Sequence, residues 1–89
     1  MNAKRRKRLK TIVNSLWEME AFLDQVCEQL QDIIDEEQAA LDAIPEGLQE
    51  SERAHEMEDY IDTMSLVLAD LSGVLDGPAE ELAEICENE

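Results

Sequence analysis

Residues 9–41 read LKTIVNSLWEMEAFLDQVCEQLQDIIDEEQAAL, and their spacing decides the fold. Leu9, Leu16, Leu23 and Leu30 recur every seven residues, and Ile12, Met19, Val26 and Ile33 recur between them. Val13, Cys27, Ile34 and Leu41 widen this row into an a/d/e face over four heptads, the pattern of an amphipathic helix with a helical neighbour. Pro45 and Gly47 end that helix, because proline lacks the next amide and pushes Ile44 away from helical geometry. Ser51 is suited to capping a second helix, with Glu52 favourable in its first turn. Met57, Tyr60, Ile61, Met64, Val67, Leu68, Leu71, Val74 and Leu75 predict that helix and its inner face. Gly77-Pro78 predicts its end, with Pro78 starting a short third helix that carries Leu82 and Ile85.

The expected architecture is all-α: an antiparallel two-helix hairpin with a short third C-terminal helix, completed to a bundle by homodimerisation. Residues 1–10 form a basic arm continuous with the first helix. Residues 11–75 form an acidic hairpin with its loop at about 45–51. Residues 76–89 form a short acidic helix. With Gly47-Leu48 as pivot, residue i faces about residue 95 − i. That register places Cys27 and Cys86 against residues 68 and 9, too far apart for a disulfide.

The chain has 89 residues, too few for more than one small domain. Aromatic content is 3%, and there are only 3 Gly and 2 Pro, which excludes most all-β and loop-rich folds. No apolar run approaches the roughly 18 residues of a membrane span, and Asn14, Glu18 and Glu20 interrupt the apolar region behind the basic start, so neither a span nor a signal peptide is expected. The expected location is cytoplasmic.

Charge is distributed unevenly. The net charge is −16, from 23 acidic residues against 7 Lys and Arg. Lys4, Arg5, Arg6, Lys7, Arg8 and Lys10 give the arm +6, whereas residues 11–89 hold all the acid against Arg53 alone. Direct nucleic-acid binding is not expected, because that acid lies within a few Debye lengths of the arm. The hairpin register lays the arm beside Asp76, Glu80, Glu81, Glu84, Glu87 and Glu89, which would neutralise it.

Asp24, Glu28, Asp32 and Asp35 form one acidic stripe at helical spacing, and Glu52, Glu56 and Asp59 form another. Like charges at i, i+4 cost helix stability, so folding does not account for them. Over about 51 Å of helix, the acid of residues 11–89 gives one charge per about 2.3 Å, against about 1.7 Å for duplex DNA. Such a surface can occupy a basic nucleic-acid channel; an acidic coat that serves solubility is the plainer alternative. From Thr63 to Leu75 the single charge is Asp70. Ser65, Leu66, Ala69, Ser72 and Gly73, with the off-seam Trp17 and Phe22, are the expected dimer or partner patch.

Chemistry at a catalytic centre finds little support. Glu52-Arg53-Ala54-His55 has the E-x-x-H spacing of di-iron bundles, but Met57 and Tyr60 set the inner face and turn His55 outward. Asp32-x-x-Asp35 and Glu56-x-x-Asp59 faintly match the acidic motifs of metal-dependent all-α nucleotide pyrophosphohydrolases, whose carboxylates must converge inward. Here Asp32, Asp35 and Asp59 fall on outer positions. No cofactor, metal or catalytic residue is expected.

Lys4-Arg5-Arg6-Lys7, Glu36-Glu37-Gln38, and Ile44-Pro45-Glu46-Gly47-Leu48-Gln49-Glu50-Ser51-Glu52-Arg53 followed by Met57-Glu58 resemble a group of small acidic helical proteins. These are encoded by phages, prophages and conjugative elements, mostly of Firmicutes. Gly47 departs from the Ser or Asn expected there. The resemblance implies a non-enzymatic protein acting in the host cytoplasm on a basic nucleic-acid-binding or defence protein, as an anti-CRISPR or anti-restriction inhibitor does. A structural or regulatory dimer module of the mobile element is the alternative.

Overall fold

A computed structural model of the chain describes residues 1–87. It is an all-α hairpin of three helices and one 3₁₀ turn: α1 (Ala3–Asp42), the turn at Glu46–Leu48, α2 (Glu52–Leu71) and α3 (Asp76–Glu87). The basic arm is the start of α1. Asn2 caps it, its side-chain oxygen accepting from the Arg5 amide at 2.9 Å.

The loop forms where the local residues require it. Pro45 holds φ −54 and its carbonyl accepts from the Leu48 amide at 2.8 Å, which closes the 3₁₀ turn. Ser51 then caps α2, its hydroxyl oxygen accepting from the Ala54 amide at 3.2 Å.

The chain divides into two compact units. In Val26–Ser72, the second half of α1 packs on α2 around Ile34, Ala54, Met57 and Ile61, with Leu30, Leu41, Met64 and Leu68 half-buried. In the other unit, the first half of α1 packs on α3 around Val13 and Ala79, with Leu9, Leu16, Leu23, Leu82 and Cys86 half-buried. Cys27 and Cys86 are both free thiols. Both helix pairs are antiparallel. Glu20 meets Asp76 and Lys10 shares a cavity with Glu87 in one unit, while Gln38 shares a cavity with Glu58 in the other. Facing residue numbers thus sum to about 96, which moves the pivot from between Gly47 and Leu48 onto Leu48, the last residue of the 3₁₀ turn.

Three expectations are corrected. α2 stops at Leu71, not at Gly77-Pro78. Ser72 is extended (ψ 122) and Gly73 adopts φ 78, a left-handed geometry that glycine enters without strain and that ends helices. Gly77 and Pro78 sit instead inside the first turn of α3, where proline is tolerated because its missing N–H has no intrahelical partner.

The seam is also narrower than the heptads imply. Of the two interleaved α1 rows, Leu9, Leu16, Leu23 and Leu30 are half-buried, but Ile12 (51%), Met19 (56%) and Ile33 (51%) stand more exposed than buried. Finally, Tyr60, Val67 and Val74 are exposed rather than on the inner face, while Met57 is buried as expected.

Candidate functional site

Asp24, Glu28, Asp32 and Asp35 are all exposed on α1. Their spacing holds them on one edge, about 6 Å apart along the axis at each i, i+4 step. The Gln31 amide donates to Asp35 Oδ1 at 2.9 Å, a bond that orients the carboxylate and leaves its charge intact. The edge extends further than the sequence suggested. Asp42 is seven residues beyond Asp35 and accepts from Gln38 at 3.0 Å. With Gln38, Leu41, Gln49 and Glu58 it lines a cavity of about 270 Å³. The seven-residue series Glu28, Asp35, Asp42 was the available signal for Asp42; Glu58 needed the register across the loop.

Glu52, Glu56 and Asp59 are exposed on α2 but face a different side. The Tyr60 hydroxyl donates to Glu56 Oε1 at 3.2 Å. That bond and the Glu56 charge hold the phenol pKa above its ordinary 10.0, with burial, Glu37 and Asp59 adding to the rise. The influence of Glu37 places Tyr60 and Glu56 on the Glu37 side of α1. Two residues from Glu37, Asp35 points about 160° away around the helix. The two acidic stripes therefore form two surfaces.

The residues expected to form one uncharged patch also separate. Trp17 and Phe22 are five positions apart, so they project about 140° apart. Trp17 turns toward α3: with Lys10, Val13, Asn14, Ala83, Cys86 and Glu87 it lines a cavity of about 280 Å³. Phe22 is 68% exposed on the other edge. On α2, Leu66 is 69% exposed and lies nine residues from buried Met57, on the opposite side of the helix. Ser65 and Ala69 are exposed, whereas Ser72 and Gly73 lie beyond the end of α2. Gly73 serves the turn between α2 and α3, since a Cβ there would meet Asp76 Oδ2 at 3.0 Å in a backbone that already disfavours side chains.

The exposed apolar surface lies elsewhere. Ile12, Met19, Val26 and Ile33 form a row on α1, Val26 being half-buried, and Tyr60 and Val67 are exposed seven residues apart on α2. No family model, curated protein or solved structure matches the chain.

In the basic arm, Lys4, Arg5, Lys7, Arg8 and Lys10 are exposed and Arg6 is half-buried, its guanidinium donating to the Met1 carbonyl at 3.3 Å. Lys10 and Glu87 line one cavity, which brings the end of the arm beside α3. Glu89, part of the acid expected to neutralise the arm, lies outside the described residues.

One carboxylate contact escaped sequence reasoning. Half-buried Glu20 lies close to Asp76, and the two carboxyls can hydrogen-bond only when one of them holds a proton. Partial burial, then the charge of Asp76 and that bond, then Asp24 and Glu80, raise the Glu20 pKa above its ordinary 4.5.

His55 is exposed, with its ring nitrogens 3.6 Å from Glu50 and from Glu58. Among the described residues, no three His, Cys, Asp or Glu side chains converge as metal ligands. Asp32, Asp35 and Asp59, the acids expected to matter for pyrophosphohydrolase chemistry, are exposed. No described helix is long and apolar enough to cross a membrane.

Proposed function

We propose that the chain is a non-enzymatic interaction protein that inhibits a basic, nucleic-acid-binding host defence protein by occupying its phosphate-binding surface. The observation that supports this reading best is the acidic edge of α1. Asp24, Glu28, Asp32 and Asp35 are exposed at phosphate-like spacing, and α1 holds no basic residue after Lys10 to neutralise them. Complementary charge of this density speeds encounter with a basic groove and selects for it. The resemblance to proteins of phages and conjugative elements supports a defence protein as the target.

The test is capture from a host lysate at low and high salt, followed by elution with duplex DNA. The reading expects retained proteins to be basic, salt-sensitive and displaced by DNA. Retention unaffected by salt and by DNA would remove it.

A second reading, a helical dimer module whose acid serves solubility, draws on a different observation: the exposure of Ile12, Met19 and Ile33 on one edge of α1. It predicts self-association with no DNA-displaceable partner.

A further inference from the structure

α1 runs unbroken from Ala3 to Asp42. Ile12, Met19, Val26 and Ile33 share one edge of it, separated by whole heptads over about 31 Å. A straight helix drifts only about 20° per heptad, which a left-handed supercoil removes. Phe22 stands beside the middle of the row, more exposed than any of its four members. A row of this kind with three of its four members exposed and Val26 half-buried is the seam of a helix awaiting another helix.

The chemistry at the two ends of the row says which helix fits. At one end, Arg5 and Arg8 border Leu9 and Ile12 around a surface depression of about 190 Å³. At the other, Glu37 lies one turn beyond Ile33, on the same edge. A covering helix must therefore be acidic at one end and basic at the other. A second α1 in antiparallel orientation meets that requirement. It sets Ile12 against Ile33 of the second copy, Met19 against Val26, and Arg8 against Glu37. A parallel copy would instead bring two basic arms together.

The charge order along α1 points the same way. The first turn of α1 has no acidic residue and the last has no basic one, the reverse of what the helix dipole favours. An antiparallel copy brings each basic start to the acidic, partially negative end of its neighbour.

We propose that two copies of this chain pair antiparallel through the Ile12–Met19–Val26–Ile33 edge of α1, with Arg8 of each copy held against Glu37 of the other. The pairing is isologous, so the contact occurs twice. It gives the basic arm a task that needs no nucleic acid, and it leaves the acidic edge free. It stands independently of the inhibitor reading.

Sedimentation equilibrium over a concentration series tests it. The intact chain gives about 20 kDa, twice its 10.1 kDa. Met19→Asp with Ile33→Asp gives monomer, with unchanged helical circular dichroism because both side chains are exposed. Arg8→Glu weakens pairing by about tenfold, and adding Glu37→Arg restores it. Orientation is read by disulfide trapping in a chain carrying Cys27→Ala and Cys86→Ala. Ile12→Cys mixed with Ile33→Cys gives a covalent pair, and Ile12→Cys alone does not. A monomeric intact chain at about 100 µM, self-trapping of Ile12→Cys, or a charge swap that fails to restore pairing would each overturn the proposal.

Discussion

The two edges of α1 that border its seam have opposite chemistry. One exposes Ile12, Met19, Phe22 and Ile33; the other exposes Asp24, Glu28, Asp32 and Asp35. Folding explains neither. Exposed apolar side chains contribute little to a single chain, and like charges at i, i+4 cost a few tenths of a kcal/mol per pair. The seam between them, with Val13 and Ile34 buried, is what the chain uses for itself. Two edges that folding does not use, with unlike chemistry, fit two different partners.

The contrast between seam and edge can be broken first at Met57, buried in the α1–α2 core. Met57→Ala should cost about 2–3 kcal/mol by urea unfolding, at every protein concentration. Ile33→Ala on the apolar edge should cost less. Its effect should grow with concentration, since pairing stabilises by mass action. Equal, concentration-independent losses would erase the distinction between seam and edge.

Ser51→Ala removes the oxygen that caps α2 and should cost about 1 kcal/mol without changing association. A shift in the association constant would mean that the loop end takes part in pairing.

The smallest effect sharpens the acidic side. Glu20 has a raised pKa in the folded chain, so the folded state holds its proton more tightly than the unfolded state. Its contribution is favourable at and below the ordinary value of 4.5 and is lost as pH rises through the raised value. Glu20→Gln should therefore slightly raise the melting temperature at pH 7 and flatten its rise on mild acidification. An unchanged pH profile would show that the Glu20–Asp76 contact carries no linkage.

Local chemistry was legible in the sequence and shared geometry was not. The Pro45 turn and the Ser51 cap depend on residues within a few positions, and both form as read. The end of α2 was misplaced because Gly73 and Gly77 look alike in sequence; only the backbone reveals which one turns left-handed. The heptads correctly indicated a helix with helical neighbours. However, the Leu9 and Ile12 rows together span an arc that one antiparallel helix does not fill, so counting both as seam overstated the burial. Likewise, the Trp17 to Gly73 patch was assembled from residues lacking charge. Ser65, Leu66 and Ala69 do share one side of α2, but Trp17 and Phe22 project about 140° apart on α1 and Ser72 and Gly73 lie beyond α2, whereas the Ile12 row shares one edge by spacing alone.

If the two edges of α1 serve different partners, each can be disabled without the other. Two variants should be compared for capture of host proteins from one lysate: Asp24, Glu28, Asp32 and Asp35 reversed to Lys, and Met19→Asp with Ile33→Asp. The acid-reversed chain should lose its DNA-displaceable partner with its helices intact, and the apolar-edge variant should keep that partner within a few-fold. The opposite result, with the partner kept by the acid-reversed chain and lost by the apolar-edge variant, would make the acid mere coating and the apolar row the working surface.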